Sequence, residues 1–443
     1  MIPEEVKIIT CDLAVRNAHI LTLDEDFTEF RPGLLLVDGG IIVYVGPDAP
    51  FAPNYQAQQV IDARGMLAMP PFFNSHNHAG MSIYRGLGND LKLNDWLNYF
   101  VWPMESKYTT AENVYLGTML STIEMVKSGT NIFVDMYFFQ EEVARASRDI
   151  GMRALLGEAI LNFPTPHFKD AGSCYDYVGT LISKYEGDPL IGVTVPAHAP
   201  YSCSDEVLRK VAGIAAEHNL PATIHLAETL HEFEDYQARF GKTPTRYLYD
   251  LGFFDHHAVA YHCNHLSTED REILKENKVG VVTITHSNLK LASGICPVTD
   301  LMKRGIPVAI GTDGPASNNN LNMVHDMRTT ALVHKAIEKD PTVVSAHTAL
   351  RMATINGAKS YRLEHRFGSL EQDKAADFIL INTDQVHWHP MHDPYAAIVY
   401  AMQPSDVDTS VINGKVVMQN RELTRIDEKE YLHKARDLWL KMQ

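Results

Sequence analysis

The chain has 443 residues, of which 45% are hydrophobic and 21% are charged, and its formal net charge is -16. Its length suits one large α/β domain with a small appendage, and its composition is that of an ordinary globular protein with an ample core. No long basic run accompanies the negative charge, which argues against nucleic acid as a partner, because nucleic-acid binding depends on Lys and Arg that neutralise phosphates.

The N-terminal region is predicted to form strands. Met1 to Cys11 carries acids and a lysine rather than a basic segment followed by an apolar core, so no signal peptide is predicted. No apolar run approaches the about 20 residues that cross a membrane, and cytoplasm is the expected location. In residues 12–62, Asp38-Gly39-Gly40 predicts a hairpin turn, because Gly and Asp tolerate positive φ. The strands predicted here are Leu13–Val15, His19–Leu23, Gly33–Val37 and Ile41–Val45.

From Leu67 onward, short apolar runs alternate with helical segments, which is the pattern of parallel βαβ units. Eight such units predict a closed (β/α)8 TIM-type barrel; an open doubly wound sheet is the alternative, but it does not need eight similar units. The predicted strands are Met66–Phe73, Asn131–Asp135, Arg153–Ala159, Ile191–Pro196, Ala222–His225, Ala258–His262, Gly280–Thr285 and Val308–Gly311. The predicted helices include Ala111–Lys127, Gln140–Ile150, Asp205–His218, Thr268–Glu276 and Asn322–Ile337, with N-caps at Ser204 and Ser267.

The C-terminal region returns to strands after about Ser369. We expect these strands to pack with the N-terminal ones as a composite β-sandwich beside the barrel. The predicted domains are residues 1–66 for the first part of the sandwich, 67–369 for the barrel, and 370–443 for the second part and a C-terminal helix. The predicted strands are Phe378–Ile381, Val411–Asn413 and Lys415–Met418, with a turn at Asn413-Gly414.

Polar residues mark the ends of five predicted barrel strands. In such a barrel the reactive groups stand at the carboxyl ends of the strands. His76 and His78 are two residues apart on an extended segment, so both imidazoles point to the same side. Packing alone does not explain five strands that end in this way. The other four ends carry His198, His225 with Glu228, His262 with His265, and Asp313.

These residue types predict a mononuclear metal site. The five cysteines are scattered and form no C-x-x-C pair, whereas histidine is abundant at 21 residues, so imidazole and carboxylate are the expected donors. Three or four protein ligands with an open position describe a catalytic metal, with zinc the first expectation and iron or manganese also accepted. Such an ion lowers the pKa of its water towards about 7. The predicted ligands are His76, His78, His225 and Asp313.

Two further residues are expected to handle protons. Glu228 follows His225 by three residues, which places it beside a bound substrate, where it could carry a proton from water to a ring nitrogen. His262 could hydrogen-bond the attacking water. The structural alternatives are a solvated carboxylate at a helix start for Glu228 and a space-filling role for His262.

The chain resembles the amidohydrolase superfamily, and within it the 5-methylthioadenosine/S-adenosylhomocysteine deaminases and related chlorohydrolases. The similarity runs from about residue 13 to residue 420. It rests on Asn74–His78, His225 with Glu228, and Gly311–Met323, and more narrowly on Trp102–Glu105, Pro196–Ser204 and Ser287–Gly294.

The resemblance implies a barrel joined to a composite β-sandwich and assigns roles to the site residues. Asp313 would bind the metal together with the three histidines and accept a proton from water, and Glu228 would protonate the adenine ring nitrogen. Glu105 would accept hydrogen bonds from the ribose hydroxyls, and His198 would contact the substrate. A homo-oligomer is expected on the same basis.

The predicted function is therefore a metal-dependent aminohydrolase that releases ammonia from an amino-purine nucleoside, first of all 5'-methylthioadenosine, with adenosine and S-adenosylhomocysteine as further candidates. The branch often has an arginine near Glu158, which would suit the carboxylate of S-adenosylhomocysteine, whereas Glu158 is expected to repel it. The branch also has a Pro-containing turn where this chain has His286, which is expected to enter the mouth of the barrel at the seventh strand. The alternatives are deamination of another amino-heterocycle (guanine or a pterin), a triazine chloro- or aminohydrolase, and a barrel without catalytic activity. Retention of both Glu228 and Asp313 favours deamination.

Overall fold

The computed structural model describes residues 8–50 and 52–442. The predictions for residues 1–7 and 443, including most of the segment read as lacking a signal peptide, lie outside the described residues. In the described part of the chain, no helix combines the length and apolar character that a membrane crossing requires.

The strands and helices have the following bounds. The strands are β1 (Ile9–Leu21), β2 (Glu29–Asp38), β3 (Ile41–Pro47), β4 (Tyr55–Asp62), β5 (Met66–Met69), β6 (Phe72–Asn77), β7 (Thr130–Asp135), β8 (Arg153–Leu156), β9 (Ile191–Val193), β10 (Val195–Pro196), β11 (Ala222–Leu226), β12 (Ala258–His262), β13 (Gly280–Thr283), β14 (Val308–Ile310), β15 (Phe378–Asn382), β16 (Val407–Ile412), β17 (Lys415–Gln419) and β18 (Glu422–Leu423). The helices are α1 (Leu93–Trp96), α2 (Trp102–Tyr108), α3 (Ala111–Lys127), α4 (Gln140–Ile150), α5 (Ala171–Tyr185), α6 (Asp205–Glu217), α7 (Leu230–Phe240), α8 (Pro244–Asp250), α9 (Thr268–Glu276), α10 (Thr285–Lys290), α11 (Val298–Lys303), α12 (Met323–Glu338), α13 (Ala346–Met352), α14 (Ile355–Ser360), α15 (Pro394–Tyr400) and α16 (Glu428–Met442).

Strands from both ends of the chain form one hydrogen-bonded sheet. Its order is β18-β17-β16-β15-β5-β1-β2-β3, with β4 paired to β1. The two ends meet where β5 pairs with the antiparallel β15, so that Leu67 lies opposite Ile381. Buried apolar side chains from both ends, such as Val15, Leu35 and Leu380, share one cluster. The predicted association of the terminal regions is therefore present, and β4 is a strand that the sequence analysis did not list.

The middle of the chain carries parallel strands in the order β6-β7-β8-β9 and β10-β11-β12-β13-β14. Helices follow most of these strands, which confirms the predicted alternation of strands and helices. Several helix bounds agree with the prediction, including those of α3, α4 and α9. The side chains of Ser204 and Ser267 cap α6 and α9 as predicted, the latter in a capping box with Asp270.

Several predicted strands are interrupted or end early: Thr194 divides the predicted Ile191–Pro196 into β9 and β10, and the predicted Arg153–Ala159 ends at Leu156. The prediction of one strand from Met66 to Phe73 is wrong, because Pro70 and Pro71 separate β5, which joins the terminal sheet, from β6, which begins the parallel strands. Proline lacks the N–H that a strand ladder needs. The predicted strand Gly280–Thr285 ends at Thr283, because Thr285 already begins α10.

Candidate metal centre and active-site cavity

Three histidines converge where β6 and β11 end. His76 lies in β6, His78 follows that strand, and His225 lies in β11. One ring nitrogen of each falls within 4.8 Å of the others, and the Nε2 atoms of His76 and His225 are 3.1 Å apart. The spacing of two residues thus brings His76 and His78 together, as the sequence predicted.

Backbone carbonyls set the orientation of two of these rings. His78 donates from Nδ1 to the carbonyl oxygen of Met136, and His225 donates from Nδ1 to that of His198 at 2.6 Å. A carbonyl oxygen can only accept, so the proton of each neutral ring is on Nδ1 and the lone pair of Nε2 is free for a metal. The fully buried His76 ring stacks on Tyr261 with centroids 3.8 Å apart.

Asp313 turns one carboxylate oxygen toward the histidines. Its Oδ1 lies 3.1 Å from Nε2 of His78 and 3.5 Å from Nε2 of His76. Its Oδ2 accepts hydrogen bonds of 2.7 Å from the hydroxyls of Ser287 and Ser317. The residue has a left-handed backbone with φ of 64°, which non-glycine residues adopt at a cost that functional sites often carry.

These donors fit a divalent metal ion. Two ligands about 2 Å from one zinc ion at the tetrahedral angle lie about 3.3 Å apart, and the N···N and N···O separations of 3.1–3.5 Å are close to this value. Burial lowers the pKa of His76 to about 3, which keeps its ring neutral as a metal ligand requires. Nδ1 of His76 has no hydrogen-bond partner among residues 8–50 and 52–442.

Glu228 and His262 lie together beside this cluster. The closest carboxylate oxygen of Glu228 is 3.7 Å from Nε2 of His262. Glu228 accepts a 3.0 Å hydrogen bond from the hydroxyl of Ser293, and burial raises the pKa of its carboxyl. Nδ1 of His262 lies 2.8 Å from Oδ1 of Asn288. An amide oxygen accepts, so Nδ1 is the donor, and in the neutral ring Nε2 is an acceptor. Glu228 is buried, so it is not the solvated carboxylate considered as its structural alternative.

Glu105 and His198 complete the predicted site. Glu105 in α2 accepts a 2.8 Å hydrogen bond from the hydroxyl of Tyr137, and burial raises the pKa of its carboxyl to about 7. Nδ1 of His198 lies 2.8 Å from the hydroxyl of Ser202, and burial lowers the pKa of this imidazole to about 3. His198 is therefore neutral near pH 7.

Of the eight predicted site residues, all except His76 line one cavity of about 610 Å³, a size typical of small-molecule sites. Its lining has two chemically different parts. We call the lining residues at the strand ends the polar floor: His78, His198, His225, Glu228, His262 and Asp313. The second part is the apolar wall, which consists of apolar lining residues from α1, from α2, from the π-helical turn Leu97–Val101 between them, and from one loop. Its residues are Leu93, Trp96, Leu97, Val101, Trp102 and Phe163.

Glu158 and His286 are not among the lining residues. The carboxylate of Glu158 is buried, accepts a hydrogen bond from the N–H of Gln140 at 3.1 Å, and lies 2.9 Å from Nδ1 of His167. The expected repulsion between Glu158 and a substrate carboxylate is therefore wrong. His286 is half-buried in α10, which follows β13, and its backbone N–H faces Asp326. It does not enter the mouth of the cavity as predicted.

The sequence analysis missed the residues that hold the predicted ones in place. Asn264 and Asn288 form a chain from His262 to Glu228: the amide of Asn288 donates to Asn264 at 2.8 Å, and the amide of Asn264 donates to the carbonyl of Glu228 at 2.9 Å. Asp135, at the end of β7, accepts a 2.6 Å hydrogen bond from the N–H of Ala79, next to His78. Asp135 is the last residue of β7 and Asn264 lies two residues after β12, and these positions at strand ends were the available signal.

Residues 67–417 match the amidohydrolase family, whose members are metal-dependent hydrolases. The protein belongs to this family, as the sequence predicted. A relative from Syntrophobacter fumaroxidans, named 5-methylthioadenosine/S-adenosylhomocysteine deaminase, is 42% identical over 425 residues, which cover 96% of this chain and 97% of the relative.

Solved structures agree with this placement. A zinc-bound adenosine deaminase from Xanthomonas campestris has a TM-score of 0.95 and 32% identity, covering 98% of this chain and 99% of its own. An atrazine chlorohydrolase from Arthrobacter aurescens, complexed with zinc, has a TM-score of 0.89 over 96% of this chain and 100% of its own. At 22% identity, this second likeness concerns the fold alone.

Proposed function

We propose that this protein is a zinc-dependent deaminase that converts the adenine amino group of 5'-methylthioadenosine into a carbonyl with release of ammonia. The observation that carries the proposal is the convergence of a metal-binding set and a proton donor on one cavity. His78, His225 and Asp313 line the same cavity as Glu228. The predicted class, a hydrolase of carbon–nitrogen bonds in cyclic amidines, is confirmed by the family and by relatives named as deaminases.

The proposed fold is a closed (β/α)8 barrel beside a composite β-sandwich, with the domain bounds predicted from the sequence. Two observations support closure. A single residue, Thr194, separates β9 from β10, and the N–H of Asp313 after β14 donates to the carbonyl of His76 in β6 at 3.1 Å. Cytoplasmic location and a homo-oligomer stay predictions.

His76, His78, His225 and Asp313 would hold the metal, which when bound supplies Lewis acidity that makes water nucleophilic near neutral pH. Asp313 accepts a proton from the attacking water, and Nε2 of His262 accepts a hydrogen bond that orients this water. Glu228, whose pKa is raised by burial, donates a proton to the ring nitrogen. As the C=O bond forms, the C–N bond to the amino group breaks. Asp313 passes the proton it accepted to the departing amino group, which leaves as ammonia. The second proton of the former water returns to Glu228, and the ring nitrogen keeps the proton that Glu228 donated.

The cavity lining supports a nucleoside with an uncharged 5' group. Glu105 is a two-oxygen acceptor suited to the ribose diol. The apolar wall suits a thiomethyl group, because burial of apolar surface is favourable. Among the described residues that line the cavity, none is Lys or Arg, so the carboxylate of S-adenosylhomocysteine would lack a cationic partner there. This feature favours 5'-methylthioadenosine and adenosine over S-adenosylhomocysteine.

An ammonia-release screen of the purified protein tests the proposal. The substrates are 5'-methylthioadenosine, adenosine, S-adenosylhomocysteine, guanine, a pterin and an amino-triazine, run alongside elemental analysis for zinc, iron and manganese. We expect the highest kcat/KM for 5'-methylthioadenosine, in protein with one zinc per chain. Preference for guanine, the pterin or the triazine, or turnover that does not depend on a bound metal, would contradict it.

A further inference from the structure

Glu232 holds the backbone of the segment that presents Glu228. This segment, Ala227 to Thr229, joins β11 to α7. One carboxylate oxygen of Glu232 accepts the N–H of Ala227 at 3.0 Å, and the other accepts the N–H of Glu228 at 2.9 Å. Both oxygens are thus used on two consecutive peptide groups, one of them that of Glu228 itself.

This arrangement differs from ordinary helix capping. In a capping box, the acid at the third helical position bonds the N–H of the N-cap residue. In α7 the N-cap is Thr229, whose side chain accepts from the N–H of Glu232 at 3.2 Å. The carboxylate of Glu232 reaches past the N-cap to the two residues before it. Its hydrogen bonds therefore fix the approach to the helix rather than the first turn.

The position of Glu228 is determined by several contacts that Glu232 completes. The side-chain amide of Asn264 donates to the carbonyl of Glu228 at 2.9 Å, and Ser293 donates to its carboxylate at 3.0 Å. Within the described part of the chain, the N–H of Glu228 is held by Glu232 alone. Ala227 has a left-handed backbone with φ of 50°, a conformation that non-glycine residues keep only when the surroundings impose it.

The burial of the Glu232 carboxyl at this position also has a free-energy cost. The Glu232 side chain is buried, with a residue exposure of 6%, and among the described residues its carboxylate accepts hydrogen bonds from backbone N–H groups rather than from a cation. Burial raises the pKa of its carboxyl to about 8. A buried acid without a cationic partner destabilises a fold unless its hydrogen bonds offset the loss of water. Such a residue is expected where position matters more than stability.

We propose that Glu232 is a positioning residue for Glu228: its bidentate hydrogen bonds to the N–H groups of Ala227 and Glu228 hold the proton-donating carboxyl against the substrate ring. The proposal rests on the role of Glu228 in the proposed function. Displacement of a catalytic group by about 1 Å lowers the rate of the chemical step by up to about 100-fold, while substrate binding by the rest of the cavity is retained.

Glu232→Gln in the zinc-loaded full-length protein tests this inference. The glutamine oxygen can accept one N–H, but its NH2 group opposes the other. We expect kcat for 5'-methylthioadenosine to fall about 10- to 100-fold, with KM within about threefold and zinc content unchanged. Amide hydrogen exchange in a peptide spanning Leu226–Thr229 should become faster. The matched control is Glu234→Gln, an exposed acid on the same helix, which should change neither kcat nor exchange.

Glu232→Asp is the second variant, which keeps the carboxyl group but shortens the side chain. It should slow kcat and speed exchange in the same segment, even if Glu232→Gln does not fold. Unchanged kcat and exchange in a folded variant would overturn the inference, as would a loss of activity explained by lost zinc. If the wild-type protein released no ammonia from any substrate, the proposed function would fail, and the exchange measurement would still decide whether Glu232 holds this segment.

Discussion

The polar floor and the apolar wall of the cavity are built in different ways. Each floor residue lies at or just after the end of a parallel strand, and several are fixed by hydrogen bonds, such as those of Ser287 and Ser317 to Asp313. Most wall residues lie on the short helical stretch from Leu93 to Trp102. Tyr99, on the same stretch, is 72% exposed.

This difference indicates that the floor and the wall have separate roles in the reaction. Side chains on strand ends keep fixed distances because neighbouring strands hold them, which the metal and the proton transfers require. Side chains on a connecting segment can change without disturbing the strands. We therefore expect the floor to determine the reaction and the wall to determine the substrate.

Removal of the metal should have the largest effect. Dialysis against a chelator should abolish ammonia release, and added zinc should restore it, because no floor residue can by itself make water nucleophilic at neutral pH. His225→Ala should lose activity and zinc together. Activity that survives in metal-free protein, measured beside its metal content, would break the proposed role of the floor.

The substitution Glu228→Gln should have the second-largest effect on activity. The amide cannot donate a carboxyl proton to the ring, so kcat should fall about 100- to 10,000-fold. Zinc should stay bound, because Glu228 does not belong to the metal-binding cluster of His76, His78 and His225. Steady-state kinetics and elemental analysis of the same sample measure both quantities. Unchanged turnover in zinc-loaded Glu228→Gln would refute the assigned proton transfer.

The pH dependence of kcat/KM should report Glu105, an acid outside both the floor and the wall. Burial raises the pKa of its carboxyl from 4.5 to about 7. Below this pH the carboxyl is neutral and accepts hydrogen bonds from the ribose less well, so kcat/KM for 5'-methylthioadenosine should fall as the pH is lowered through about 7. Glu105→Gln should lower kcat/KM above this pH and remove this part of the dependence. A wild-type profile that stays flat between pH 6 and 8 would contradict the assignment.

A change in the wall should have the smallest effect and should alter selectivity. Leu97→Arg introduces a cation into the lining, which should raise the ratio of kcat/KM for S-adenosylhomocysteine to that for 5'-methylthioadenosine by about tenfold, or about 1.4 kcal/mol. Asn98→Arg, at an exposed neighbouring position outside the lining, is the control for added charge. An equal loss for both substrates would indicate that the wall does not determine the substrate.

The sequence by itself determined the strand ends that carry the chemistry. His76, His78, His225 and Asp313 could be found because parallel strands bring their carboxyl ends to one edge, so position along each strand predicts proximity in space. The hairpin turns were also readable, since Gly39, Gly40 and Gly414 have the positive φ that their type suggested. These signals are local in the sequence and can be read without knowledge of the packing.

Only the tertiary structure decided which side chains support those residues and which face the cavity. Glu232 reaches back to Ala227 and Glu228, and Glu158 turns away from the cavity to Gln140 and His167. Neither outcome is encoded in a local pattern, because the direction of a buried carboxylate depends on which N–H groups the packing leaves unpaired around it.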